Sequence, residues 1–309
     1  MNEAELKSTP PPPRHGQQPL IISIFIGDNG LRSGWRFLLY AAAVFLLAWL
    51  SISTFGRFLH RGESKPGTPG TVIAGETILL FAAVVPAVVA AILEKRPWGV
   101  YGLPFRGRNL GRFALGCAVG FAALSLLLLL MHWSHGFSLG GVALHGGAIA
   151  RYALLWGVMF LLVGITEEFL FRGYSQYTLS KGIGFWPAAI LLSAGFGAIH
   201  LHNLGEDWIG ALAAACVALV FVFTLWRSGS LWFAVGVHAA WDWAESFFYG
   251  VPDSGTRNVG TLFNPHFNGS KWITGGSVGP EGSVFVFVAI VAIALLTHLL
   301  YPKRLWNPQ

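Results

Sequence analysis

Charge is scarce in this 309-residue chain: only 11% of residues are Asp, Glu, Lys or Arg, against roughly 25% in an ordinary soluble domain. That shortage excludes a water-soluble globule. Cysteine is rarer still. Cys117 and Cys216 both sit inside apolar blocks with no CxxC or CxxH company, which excludes a disulfide framework or zinc knuckle and leaves packing as their role. No His is followed by Glu, so the HExxH of the zincins is missing, as is any GxxxxGK[ST] phosphate loop that would drive nucleotide-powered pumping.

Apolar and aromatic residues fill the space that charge leaves. They make up 54% of the chain, with 24 Phe and 13 Trp and a mean hydropathy of +0.59, the opposite of a disordered composition. The apolar residues fall in blocks close to the ~20 residues that cross a ~30 Å hydrocarbon layer. An all-α, polytopic bundle of eight membrane helices is expected, at about Arg36 to Phe55, Thr71 to Leu93, Phe113 to His132, Tyr152 to Phe171 or beyond, Phe185 to Leu201, Trp208 to Trp226, Leu231 to Phe248, and Val284 to Tyr301. Helices are required because lipid offers no hydrogen bonds to an open backbone, and the ten-residue alternation of a barrel is lacking.

Residues 1–35 read as a Pro-rich, disordered arm, with a Pro10 to Pro13 run and charges of both signs. Glu3 and Glu5 spoil the basic start of a signal peptide, so the first span is expected to be retained. Residues 36–150 hold spans 1 to 3, 151–248 hold spans 4 to 7, and 249–309 hold a Gly-rich segment and span 8. Assigned to alternate sides, fourteen of the 20 basic residues fall with the two termini, while Arg57, Arg61, Lys65, Arg151, Arg257 and Lys271 fall opposite. The bias predicts a multi-pass protein of the cell membrane with both termini cytoplasmic. It also accounts for the net charge of +6, so no nucleic-acid partner is needed. The segment Tyr249 to Ser283 reads as either a mobile loop or an ordered lid. Gly116 and Gly120 form a GxxxG suited to close helix contact. No internal repeat supports an inverted-repeat transporter.

A charge at bilayer depth costs on the order of 3 kcal/mol, so ionisable residues inside spans mark function. Glu76 and Arg227 lie near span ends. The rest cluster: Glu167, Glu168 and Arg172 in span 4, His200 at the end of span 5, and His238, Asp242 and Glu245 in span 7. Glu168 and Arg172 are four residues apart and share a helix face, where they can pair as an interhelical staple. Glu167 lies about 100° round the helix, with Phe171 rather than a cation one turn on. It is the carboxylate left for general acid or base work, or for a buried relay. His238 and Asp242 also share a face and can orient a catalytic imidazole or share a metal. Glu245, near the outer end of span 7, reads as structural. Gly136-Phe137-Ser138-Leu139-Gly140 matches GxSxG without the strand and helix of a nucleophile elbow and is taken as chance.

The set Glu167-Glu168-xxx-Arg172, Phe196-xxx-His200 and His238-xxx-Asp242 resembles the three motifs of the CPBP intramembrane proteases. This is the Abi or CAAX-protease family, which includes the type II CAAX prenyl endopeptidases and bacteriocin-processing or immunity proteins. The stretch Thr274 to Ser283 also resembles bacterial members. The resemblance implies an endopeptidase acting on a membrane-associated peptide or protein, with Glu167 and His200 activating water, His238 and Asp242 facing the tetrahedral intermediate, and Glu168, Arg172 and Phe196 in support. Asp242 departs from the Asn that would donate to an oxyanion: it has to be protonated, orient His238 or bind metal. The resemblance fixes no cofactor. If the reaction is metal-dependent, zinc would fall to Glu167, His200 and His238. Other classes compatible with the same residues are a proton-coupled transporter relaying through Glu167, Glu168 and Asp242, and a non-catalytic immunity or scaffold protein. One depth conflict stands out. A span 4 ending at Arg172 would leave Glu167 more than ~10 Å from the level of His200, so the helix is expected to run on to about Leu179.

Overall fold

The computed structural model describes residues 20–27, 30–59, 69–97, 99–104, 107–256 and 259–306. The Pro-rich run of the arm lies outside the described residues. Its end does not: residues 20–35, expected to be disordered, carry helix α1 (Leu20–Phe25), a small antiparallel ladder of β1 (Ile26–Gly27) with β2 (Gly30–Leu31), and the start of α2. Arg32 Nε donates to Ser23 O at 2.7 Å and Trp35 Nε1 to Ile24 O at 3.0 Å, which folds this segment back on α2. Composition dominated by the neighbouring prolines hid these local bonds.

The eight expected spans correspond to α2 (Ser33–Leu59), α3 (Pro69–Leu93), α4 (Gly107–Trp133), α5 with α6 (Gly147–Glu168 and Gln176–Ile183), α7 (Phe185–His200), α8 (Trp208–Ser228), α9 (Trp232–Trp243) and α11 (Val286–Leu300). Among the described residues, five helices are long and apolar enough to cross a membrane, α5 and α6 counting as one continuous body over Gly147–Ile183; α7 and α11 are shorter and equally apolar. Large apolar side chains point outward around the bundle, with Phe45 at 73% exposure and Leu154 at 70%. That pattern is inside out for water and right for lipid.

Helix α9 is the axis of the molecule, packed between α4 and α5 and against α8. Its residues Phe233, Ala234, Val235 and Val237 are buried, and the main core joins Leu124, Leu127 and Leu128 of α4 to Phe221 of α8, Val237 and Trp241 of α9, and Ile290 and Ile293 of α11. The α4–α9 approach is so close that a Cβ on Gly116 would meet Phe233 O, one on Gly120 would meet Val237 O, and one on Gly236 would meet Phe113 O. The GxxxG thus sits at a real helix contact. Gly120→Ala is expected to destabilise the protein by about 1–3 kcal/mol, since the backbones would have to part. Gly111→Ala, on the same helix with open space around it, is expected to stabilise by about 0.5–1 kcal/mol through helix propensity alone. Thermal denaturation in detergent of the two variants checks the opposed signs.

The segment after α9 is ordered over its described residues. Strand β3 (Phe137–Ser138) pairs antiparallel with β4 (His266–Phe267), Phe137 opposite Phe267 and Ser138 opposite His266. Leu262 N donates to Phe247 O and Ala143 N to Leu262 O, each near 2.8 Å. Helix α10 (Lys271–Thr274) and a single 3₁₀ turn at Pro280–Gly282 lead into α11. The result is a cap over one end of the bundle, above the ends of α4, α7 and α9. Ser138 of the chance GxSxG is a strand residue in that cap.

Candidate active site

Two departures from α-helical geometry frame the site. After Glu168 the helix widens into a π-helical stretch, Phe169–Ser175, before resuming as α6, and after Trp243 α9 does the same over Ala244–Tyr249. Such wide turns are frequent at functional sites. Gly173 takes a non-helical ψ of −111° in the first, and Ser175 Oγ donates to Leu170 O at 2.6 Å. The continuation to Ile183 passes the expected end near Leu179, and Gly184, at φ 90°, terminates it. Glu167 and His200 line one cavity.

Glu168 and Arg172 are both fully buried, at 0% and 1% exposure, with Arg172 Nη1 3.2 Å from Glu168 Oε1. The same Glu168 oxygen lies 3.1 Å from His238 Nδ1. Glu168 therefore does more than staple: as a carboxylate it accepts from His238 and fixes the ring across 70 residues of sequence, a contact that no spacing rule reveals. His238 Nε2 then faces Asp242 Oδ2 at 3.4 Å and Glu167 Oε2 at 3.7 Å. The last distance exceeds a hydrogen bond. Glu167, with a side chain 26% exposed, is the open carboxylate of the three.

His200 Nδ1 lies 2.8 Å from Phe196 O. A carbonyl only accepts, so Nδ1 carries the proton and the Nε2 lone pair is left available. The FxxxH spacing has a second use. The Phe196 ring lies 4.5 Å from the His200 ring and 6.5 Å from that of His238, and the Arg172 guanidinium sits over it at 4.3 Å. Phe221 stacks on His238 at 5.6 Å. One aromatic ring thus touches all three motifs.

Glu167, Phe196, His200, Phe221, His238 and Asp242 line a cavity of about 290 Å³ together with Glu76, Asp253, Ser254 and Glu281, and with apolar walls that include Met159, Phe160, Val163 and Val217. Glu76, set aside in the sequence as a span-end residue, belongs to the site. Glu281 and Asp253 come from the cap: Glu281 accepts from Trp241 Nε1 at 3.2 Å and from Ser254 N and Oγ at 3.0 and 2.7 Å, which ties the cap to α9. Burial first, then Asp242 and Glu281, hold Asp253 well above the usual carboxylate range. A charged residue in an apolar helix was the available signal for Glu76; Glu281 lies in the stretch Thr274 to Ser283 that carried a resemblance without a role, and nothing in the sequence marks Asp253.

Glu167, His200 and His238 offer ligand types suited to zinc, but they do not converge as a metal centre. Among the described residues, the trio whose ligand atoms lie within 4.8 Å of one another is Asp242, Glu245 and Asp253. No step of the reaction is therefore assigned to zinc.

At the α7–α8 connection, burial raises Glu206 to about 7 from the usual 4.5; the Asp207 N–H opposes the shift, and the Glu281 and Asp207 carboxylates add to it. The folded protein holds this proton more tightly than the unfolded chain does. The contribution of Glu206 to stability therefore falls as pH rises from about 4.5 to about 7. Glu206→Gln is expected to remove that loss, so melting curves of variant and wild type should diverge in the variant's favour across this window. A constant difference would refute the assignment.

Residues 149–244 match the family model described as type II CAAX prenyl endopeptidase Rce1-like. This stretch of the chain is Rce1-like. The match covers less than half of the chain, and it contains all seven residues of the three motifs, so the resemblance those motifs carry is borne out. Neither curated proteins nor solved structures give a match. The Rce1-like stretch runs from α5 to the second wide turn, the same helices that carry Glu167, His200 and His238 to the cavity.

Proposed function

We propose that this protein is an intramembrane endopeptidase that hydrolyses a peptide bond of a membrane-associated peptide or protein, with 151–248 as its catalytic core. The observation that carries the reading is the arrangement around His238: an imidazole held from behind by a buried Glu168–Arg172 pair, with an open Glu167 before it and a second imidazole on the same cavity. That Rce1-like residues build this arrangement supports the same reading.

In the reaction, water lies between Glu167 and His200. Glu167 takes its proton as the oxygen attacks the carbonyl carbon, and the carbonyl π electrons move onto the oxygen as the tetrahedral intermediate forms. The His238 Nε2–H, directed into the cavity beside Asp242, donates to that oxyanion. Asp242 Oδ2, 3.4 Å from the same nitrogen, pairs with the ring electrostatically and aims His238 rather than touching the oxyanion itself. When the C–N bond breaks, the proton held by Glu167 goes to the leaving amine. His200, fixed by Phe196 O, keeps the water aligned. The apolar walls suit a substrate arriving from lipid, and the cavity reaches the cap side. With the basic-residue bias placing both termini in the cytoplasm, that opening faces the opposite side of the membrane.

The test is cleavage in reconstituted vesicles of membrane-anchored peptides with and without a prenyl group, by wild type and Glu167→Gln. Cleavage by wild type alone is expected. Equal cleavage by both proteins rejects the assignment of Glu167.

A further inference from the structure

The proposed reaction leaves one group of acids unused. Glu245, one turn beyond Asp242 on α9, is 0% exposed; the Trp241 indole lies near its carboxylate, but neither oxygen has a partner at full hydrogen-bond geometry. The indole of Trp241, one turn earlier, is directed to Glu281 instead. The wide turn Ala244–Tyr249 and Gly250, in the left-handed region at φ 70°, return the chain so that Asp253 faces the same point. Asp253 is held there by Ser246 Oγ at 3.0 Å and by reciprocal backbone bonds with Thr256. One ligand oxygen each from Asp242, Glu245 and Asp253 then lies within 4.8 Å of the others. Both oxygens of Glu281 are already engaged by Trp241 and Ser254, so it fixes the cap and is not a member of the trio.

No Lys or Arg pairs with these three carboxylates among the described residues; the cation facing the cluster is His238, on Asp242. Three oxygens on facing elements, two of them buried, with one imidazole to answer them, leave the interior short of a positive partner: without a cation the acids share protons, and an ion would displace those protons. We propose that this trio is a binding site for a hard divalent cation of the calcium or magnesium class, distinct from any metal at Glu167, His200 and His238. The donor set is all oxygen, which suits Ca²⁺, Mg²⁺ or Mn²⁺ and disfavours zinc or copper. Oxygens around such an ion, bound at ~2.0–2.6 Å, stand up to roughly 4–5 Å apart, and the three oxygens here lie within 4.8 Å of one another. Asp242 and Asp253 line the cavity, giving the ion a way in; water fills its remaining positions. Bound there, the ion ties the cap to α9 and fixes the carboxylate that aims His238. It acts as a positioning group, remote from the scissile bond, and the site stands whether or not the proteolytic reading does.

The experiment is isothermal titration of the purified, chelator-washed full chain in detergent with CaCl₂, MgCl₂ and MnCl₂, each to about 1 mM, the upper end of the range of weak extracellular calcium modules. One equivalent of at least one of these ions is expected to bind and to raise the melting temperature. Glu245→Gln and Asp253→Asn should each weaken binding at least tenfold, while Glu206→Gln should leave it unchanged. If Glu245→Gln does not fold, Asp253→Asn, in the partly exposed turn, decides alone. Absence of binding by wild type, or binding unaltered in Asp253→Asn, overturns the site and leaves a proton-sharing acid cluster.

Discussion

Glu167→Gln is expected to lower the rate of peptide-bond cleavage by roughly 10²–10⁴-fold, the usual worth of a positioned general base, while its melting temperature stays near that of wild type. The two halves of the expectation come from different observations. Glutamine keeps the shape of the side chain but cannot take a proton from water. Glu167 makes no hydrogen bond that the fold depends on, standing 3.7 Å from His238 Nε2 with a quarter of its side chain exposed, so the substitution costs the fold little. Mass spectrometry of product peptides from vesicles measures the first half and thermal denaturation the second. A variant retaining a tenth or more of wild-type turnover would remove Glu167 from the role of base. Loss of activity together with collapse of the melting transition would show that the residue is structural instead.

Arg172→Leu should be the most damaging change to stability in the site. Arg172 shares Glu168 with His238 and is the partner that is always charged, at a point where the Glu168–Arg172 pair is out of reach of solvent. Removing it leaves a buried carboxylate with only His238 to answer it, and breaking a buried pair in this way costs about 3–5 kcal/mol. The guanidinium also lies over the Phe196 ring, so packing is lost along with charge. The double variant Glu168→Leu, Arg172→Leu should recover much of that stability, because no unpaired charge remains. It should not recover activity, since His238 Nδ1 loses its acceptor. Denaturation midpoints of the two single variants and the double variant give the coupling energy directly. A double variant no more stable than Arg172→Leu would contradict the pairing.

The fold was largely legible because the bilayer imposes it. Helix length and the position of each apolar block follow from the thickness of hydrocarbon, and so each of the eight blocks became helical, five of them long and apolar enough to cross a membrane among the described residues. The site was legible wherever its residues share a helix: Glu168 with Arg172, Phe196 with His200 and His238 with Asp242 are each four apart, and each meets its partner. It was illegible where residues meet across the bundle. The bond from His238 to Glu168 spans helices α9 and α5, and Glu281 reaches Ser254 through a cap whose composition suggested a loop as readily as a lid. Glu76 was discounted by its position in the chain, whereas what decides its role is the wall of the cavity it joins. Residues 20–35 failed for a further reason: their few local bonds are too short-ranged to register against a Pro-rich background.

The paired wide turns give this site an unusual sensitivity to chain length. The stretch after α9 behaves as though one residue had been inserted into an otherwise regular helix, and dropping that residue would turn everything beyond it by about 100°; the stretch after α5 bends at Gly173 instead. In α9 such a deletion would carry Gly250 and the segment leading to Asp253 away from the cavity mouth. Connecting loops can grow or shrink while the fold persists, but these two helices are phased like meshed gears, and any lineage that keeps the site has to keep the extra tooth of α9 and the bend after α5.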